Sequence, residues 1–306
     1  MKPKDQEPKD TLYAGITDIT LYKNSFTLIE GIELRKTYCH LFSTNMMAFN
    51  PPGPEGFHPA PWKPAKGGFS YDIEVEIVVS PNNQLSIYYP QHEIVWIIAS
   101  LLRITQYPYL SVPVLSGMSF NAVSRSSKET LITPFEIEKR YFSKPLEGES
   151  VLNNDVLEWM QQNIVSVVKM LNSHPKLYNA LKAFDSSAIN GKVALGMLAL
   201  WGGIEELFLG NKGELRFRIA AYLASYLEEP GQERYNLYKK IAKLYNDRST
   251  AAHTTKDINI EPFVETYLIM RNALLRIIES QKIPNQNELE SLLFGCKINK
   301  RTIATA

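Results

Sequence analysis

LNNDVLEWMQQNIVSVVKML, residues 152–171, marks the point where the chain changes its period. Leu152, Val156, Met160, Ile164, Val167, Val168 and Leu171 recur at steps of three and four, which gathers them on one face of a helix, and Asn153, Asn154 or Asp155 offers a capping side chain at its start. The same period continues downstream. A short helix is expected over 176–184, and a longer one over 190–209 with Val193, Met197, Trp201, Ile204 and Phe208 on one stripe, stopped by Gly210-Asn211-Lys212-Gly213. Leu215, Ile219, Tyr222, Leu223 and Tyr226 mark the next, closed by Pro230-Gly231. Tyr235, Tyr238, Ile241 and Tyr245 mark another, and Phe263, Tyr267, Met270, Leu274, Leu275 and Ile278 a long last one. Residues 148–306 therefore read as an all-α helical bundle.

Upstream the pattern has period two. Phe69, Tyr71, Ile73, Val75, Ile77 and Val79 alternate, and Pro81-Asn82-Asn83 supplies turn chemistry before Leu85-Ser86-Ile87-Tyr88-Tyr89, so a hairpin is expected there. Further strands are expected over 17–21, 26–34, 112–120 and 131–137, with a helix over 93–104 between them. Residues 1–147 thus read as an α+β domain. The prolines at 51, 52, 54, 59, 61 and 64 break any periodicity between 45 and 68, which reads as a long loop carrying Phe49, Phe57, His58 and Trp62. Such a loop suits a surface through which the first domain meets a trigger or an inhibitor. The opposite reading, that the rings pin the loop to its own domain, stands equally open.

A chain of 306 residues has room for two cores. Its net charge of +1 gives no global field toward nucleic acid or membrane, so any RNA-binding surface is local. Cys39 and Cys296 form neither a zinc spacing nor a disulfide framework, which fits a reducing cytoplasm. Residues 1–8 lack the pattern of a signal peptide, and the apolar run 94–102 is about half the length a membrane helix needs. The histidines at 40, 58, 92 and 174 show no ligand-like clustering, so neither a metal site nor a cofactor is expected.

The clearest chemical signal is Leu244-Tyr245-Asn246-Asp247-Arg248-Ser249-Thr250-Ala251-Ala252-His253. It sets an arginine, a permanent two-pronged phosphate ligand, five residues before a histidine, which exchanges protons near neutral pH. Around it Trp201, Ile204-Glu205, Leu207-Phe208, Arg218-Ile219-Ala220, Leu244-Tyr245, Arg248-Ser249 and His253 occur in order near the ends of successive helices. This series resembles the ApeA-like branch of the HEPN superfamily over residues 190–280, nearly all of the helical half and none of the first half. The resemblance implies a HEPN-like bundle, metal-independent endoribonuclease activity of the toxin or anti-phage abortive-infection kind, and a homodimer in which both motifs line one cleft. It places Arg248 and His253 at the catalytic positions, with Tyr245, Asp247, Ser249, Glu205 and Arg218 in support. Ser249 departs from the amide, acidic or imidazole side chain that many HEPN ribonucleases carry after the arginine.

The chemistry of RNA agrees with that implication. Its 2′-hydroxyl is a built-in nucleophile, so cleavage requires proton removal, protonation of the leaving 5′-oxygen and stabilisation of charge on phosphorus. His253 suits the first two tasks and Arg248 the third. A five-residue step turns the second side chain about 140° from the first, so the helix is expected to break within 249–252 or a second subunit to complete the site. Plainer readings exist for each residue. Arg248 can satisfy helix-end carbonyls, His253 can act as a polar cap, and Asp247 can be a solvated acid. Glu205 and Arg218 read first as an interhelical ion pair, the tyrosines at 222, 226, 235, 238 and 245 as core, and Gly202-Gly203 as a close helix contact. The alternatives to an enzyme are a non-catalytic RNA- or protein-binding module and a toxin–antitoxin interaction subunit.

Overall fold

The computed structural model describes residues 10–123, 125–126, 130–143, 150–189, 191–209, 214–253 and 259–296, with the backbone alone at 42–46, 65–69 and 249–253. Among them, six strands form one antiparallel sheet: β1 (Leu12–Thr17), β2 (Ser25–Ile29), β3 (Ile32–Ala48), β4 (Trp62–Val79), β5 (Val114–Ser116) and β6 (Ile132–Pro134), in the order β2-β3-β4-β1-β5-β6. Ile73, Val75, Ile77 and Val79 alternate as expected and are fully buried. Their partners differ from the expected ones. β4 is a central strand between β3 and β1, and residues 85–89 are turns. The reason is Asn83, whose buried amide donates to the Ser80 carbonyl and Ser86 Oγ while accepting from Leu85 N, so the chain is tied into a turn there and not into a second strand.

Other strand boundaries also move. The run 26–34 divides at Gly31, whose φ of 78° allows the reversal from β2 into β3. β1 stops at Thr17 because Asp18 takes the left-handed region, φ 66°, so 17–21 is not a strand. Within 112–120 only Val114–Ser116 is strand, and a short helix α2 (Phe120–Val123) follows. Glu76 of β4 is fully buried and starts that helix, accepting from Ser119 Oγ at 2.8 Å and from Phe120 N at 2.9 Å. Gly15 allows the close approach below it: a Cβ there would lie 2.7 Å from Ile73 Cδ1 and 3.1 Å from Phe120 Cζ.

The expected long loop is shorter than 45–68. β3 and β4 pair out to Ala48 and Trp62, and among the described residues the 62–72 part of β4 pairs with β3 alone, so Pro64 forfeits no ladder bond on the other side. The loop proper, 49–61, is held by polar atoms: Asn50 Nδ2 donates to the Ala60 carbonyl, His58 Nδ1 to the Asn50 carbonyl, and Trp62 Nε1 to the His58 carbonyl. Phe49, Phe57 and Trp62 are each more than half exposed, and Trp62 is tied to the loop through its indole N–H.

The remaining helices are α1 (Gln91–Thr105), α3 (Asn154–Ser173), α4 (Pro175–Ser187), α5 (Val193–Phe208), α6 (Leu215–Leu227), α7 (Gln232–His253), α8 (Glu261–Ser280) and α9 (Gln286–Leu293). The chain forms two compact units, and the helical one takes in Ile87–Tyr109 and Glu138–Ser143 together with Asp155–Ala306. α1 was expected among the strands, but it packs on the helices. Its Arg103 and Trp96 both donate to Asp185 of α4, at 2.9 Å, and Arg271 of α8 donates to the carbonyls of Ile104 and Thr105 at its C-terminus. Gly203, not Gly202, is the close contact: a Cβ there would come within 2.6 Å of Met270 Cε and 3.1 Å of Ala183 Cβ. Among the described residues no helix is long and apolar enough to cross a membrane.

Candidate functional site

Ile241, Ala242 and Leu244 turn one face of α7 into the bundle, which leaves Tyr245 and Arg248, three residues apart, side by side at the margin of that face. Opposite them α5 presents Trp201 and Glu205, four residues apart. The four side chains meet. Tyr245 donates to Glu205 Oε1 at 3.0 Å, Arg248 Nη1 lies 3.3 Å from the same oxygen, and Arg248 Nη1 donates to the Tyr245 hydroxyl at 3.4 Å. The Trp201 ring meets Tyr245 edge-on at 5.0 Å, and the Arg248 guanidinium sits 5.3 Å from the Tyr245 ring centre.

The charge and solvent balance follows from that geometry. Burial, and then the bond to Glu205, push the Tyr245 phenol above its ordinary pKa, with Arg248 opposing. It therefore stays a neutral donor to Glu205 across the physiological range. The side chains of Arg248 and Glu205 are 30% and 25% exposed, so this ion pair is reachable from water. Two donors remain unmet: among the described residues neither Arg248 Nε nor Trp201 Nε1 has a hydrogen-bond partner, although both are buried.

The other sequence-derived candidates are distributed as follows. Glu205 pairs with Arg248 and not with Arg218, because α5 faces α7 at this height; Arg218 lies on α6 with its guanidinium 5.5 Å from the Tyr222 ring. Asp247 is half-buried and makes no hydrogen bond or ion pair with described residues. α7 continues through His253, so the expected break at 249–252 does not occur. The side chains of Ser249 and His253 lie outside the described residues. A continuous helix sets positions 248 and 253 about 140° apart around its axis. Of the tyrosines, Tyr222 and Tyr226 are core, whereas Tyr235 is 50% exposed with Lys239 Nζ 4.2 Å from its ring centre.

One constellation escaped the sequence reading. Asp185 accepts from Arg103 Nη1, Trp96 Nε1 and Arg140 Nη2, and Arg140 also reaches the carbonyls of Asp185 and Pro108. Burial would push the Asp185 carboxyl up, but Arg103 and Arg140 outweigh it and hold the group below the ordinary carboxylate value. The available signal was Arg103 itself, a cation inside the apolar run that ends at Ile104, which demands a buried counter-charge. Among the described residues no cluster of three or more His, Cys, Asp or Glu side chains could hold a metal ion. A scan against protein-family models and searches of curated proteins and of solved structures find nothing that matches this chain.

Proposed function

We propose that the protein is a cytoplasmic, metal-independent endoribonuclease with a HEPN-like helical half, acting as a toxin or anti-phage abortive-infection effector. The observation that carries this reading is Arg248: a guanidinium held by Glu205 and Tyr245 at a part-exposed helix margin, five residues before His253. Arg248 stabilises the extra negative charge on phosphorus, and His253 takes the 2′-proton and supplies one to the leaving 5′-oxygen. Glu205 and Tyr245 are positioning residues, since their contacts fix the guanidinium and not the substrate. The 140° splay along α7 is met by a homodimer, in which Arg248 of one chain works with His253 of the other. The first half of the chain senses a trigger or restrains the activity.

The experiment is incubation of the purified full chain with total RNA in EDTA, with analysis of product ends. Attack by the 2′-hydroxyl leaves a 2′,3′-cyclic phosphate. Activity that EDTA abolishes and magnesium restores, or products with plain 3′-hydroxyl ends, would overturn the mechanism. One observation favours a second reading, a non-catalytic RNA- or protein-binding module: the Glu205 carboxylate compensates Arg248 and can use it simply to fasten α7 to α5. An intact, dimeric protein that binds RNA and leaves it uncut would establish that alternative.

A further inference from the structure

α7 turns Ile241 and Leu244 into the bundle, so the opposite side of the helix faces water. Tyr235, Lys239, Lys243 and Asn246 all stand exposed there. Helical geometry sets Lys239, Lys243 and Asn246 within about 80° of Tyr235 around the axis, and position 253, five whole turns beyond Tyr235, falls on the same line. The stripe therefore runs for about 27 Å along one face and ends at the place of the proposed proton-transfer residue.

Among the described side chains of this stripe the only charges are positive. Lys239 Nζ lies 4.2 Å from the Tyr235 ring centre, a contact that holds the ammonium without neutralising it, and Lys243 makes no ion pair with described residues. The acids of α7 fall outside the stripe. Glu233 is turned about 160° and Asp247 about 120° from Tyr235, and Asp247 is half-buried and forms no ion pair with Lys243, one turn before it. Lys240, on the acid-bearing side, is paired with Glu265 of α8 at 2.7 Å. A merely solvated helix face mixes the two signs, so a stripe of unneutralised cations points to an anionic partner.

Rings flank these cations. Tyr235 is 50% exposed, and on the α6 side Phe217, 51% exposed, meets Tyr238 edge-on at 6.0 Å. Phe217, Tyr238 and Leu215 line an open cavity of about 570 Å³, whose two charged residues, Glu214 and Arg216, are of opposite sign. A ring-lined hollow without net charge beside a cationic stripe divides the work that a nucleic-acid strand requires: apolar surface for a base, positive charge for phosphates.

We propose that the outer face of α7 and the adjoining α6 cavity bind single-stranded RNA and lead it toward position 253. Lys239 and Lys243 take phosphate oxygens, Tyr235 stacks on one base, and the cavity receives a neighbouring one. The strand is single because bases held in a duplex cannot leave their stack to meet the rings. The proposal deepens the ribonuclease reading and rests on it for the choice of RNA.

The test is fluorescence anisotropy of the full chain with a labelled 2′-O-methyl uridine dodecamer, which keeps the ribose and phosphates of RNA but lacks the attacking hydroxyl, both alone and annealed to its adenosine complement. The single strand is expected to bind more tightly than the duplex. The double variant Lys239→Ala/Lys243→Ala changes two exposed positions where alanine favours the helix. It is expected to weaken binding about tenfold and to lower the slope of log affinity against log salt by about 1.4, the share of two phosphate contacts on a single strand. Tyr235→Ala is expected to weaken binding about tenfold with the slope unchanged, and Tyr235→Phe to retain it. No binding at about 100 μM protein, the weak limit of non-specific nucleic-acid affinity, overturns the proposal, as do equal affinity for the duplex and a salt slope that the double variant leaves unchanged. A change of oligomeric state in the double variant by light scattering, with binding intact, would give this face to a second copy of the chain and overturn the proposal as well. The two readings fail separately. A protein that binds the dodecamer through these residues but leaves unmodified RNA uncut keeps the track and loses the ribonuclease; one that cuts RNA at the full rate after Lys239→Ala/Lys243→Ala keeps the ribonuclease and loses the track.

Discussion

Arg103 and Arg248 each meet a carboxylate in the helical unit, but on different terms. Arg103 is 0% and Asp185 5% exposed, and the carboxylate is surrounded by Arg103, Arg140 and the Trp96 indole. Arg248 and Glu205 are about a quarter to a third exposed, joined by one contact, and the Arg248 Nε donor is unmet. Closure makes the first a brace, since its charges are too costly to expose or to leave unpaired. Openness leaves the second cation available to an incoming anion. The contrast teaches that the better-satisfied ion pair belongs to architecture, while the looser one is the pair the proposed function assigns to chemistry.

The sharpest way to break the comparison is to remove the buried anion. Asp185→Ala leaves Arg103 and Arg140 uncompensated and is expected to destabilise the fold by about 3–5 kcal/mol, read from the urea unfolding midpoint; a loss under about 1 kcal/mol would dissolve the distinction. The sign of the pH effect follows from the lowered carboxyl pKa. The contribution of ionised Asp185 is complete above the ordinary value of 3.8 and disappears as pH falls through the lower folded value. Asp185→Asn should therefore flatten the acid limb of the stability profile below that point.

Arg248→Ala should behave in the opposite sense. The exposed pair contributes about 0–1 kcal/mol, so the unfolding midpoint should barely move, while RNA cleavage falls by about 10²–10³-fold, the scale for losing one transition-state charge stabiliser. Arg248→Lys is expected to rescue only part of that loss, because an ammonium lacks the planar fork. A stability loss comparable to that of Asp185→Ala, with binding and activity unchanged, would make Arg248 a second brace. The smallest effect is reserved for Tyr245→Phe. It removes one donor to Glu205 and should cost about 0.5–1.5 kcal/mol of stability, with a drop in kcat that exceeds any change in KM if the phenol acts by holding Arg248.

What was legible in the sequence follows from how local each signal is. The spacing of Leu152 through Leu171 and the Trp201 stripe report burial on one helix face, so α3 and α5 were found within a few residues. α9 was missed although Asn285 and Glu288 form a capping box in the structure, a local signal that lay readable in the Asn285-Gln286-Asn287-Glu288 run. The β3–β4 pairing was not local: residues 46 and 64 become neighbours through a ladder, and Pro64 argued against a strand that its open edge permits. The same holds for side chains at the site. Tyr245 and Arg248 share a helix face, but their meeting with Glu205 spans about forty residues of chain and depends on which helix α5 faces. The β3 bulge between Lys36 and Cys39 likewise depends on the register of a partner strand and leaves no composition to read.

The most direct measurement is subunit complementation. Arg248→Ala and His253→Ala proteins are each assayed on RNA in EDTA, then mixed, allowed to exchange subunits and assayed again, with circular dichroism confirming that both are folded. Because positions 248 and 253 lie about 140° apart around a continuous helix, each site of the proposed dimer should take its arginine and histidine from different chains. Random re-pairing then gives one intact site in half of the dimers, so the inactive proteins should regain about a quarter of wild-type activity together. If the mixture stays as inactive as its parts while the wild type cleaves RNA, the composite site is contradicted; if either single variant cleaves RNA as well as the wild type, so is the role given to its residue.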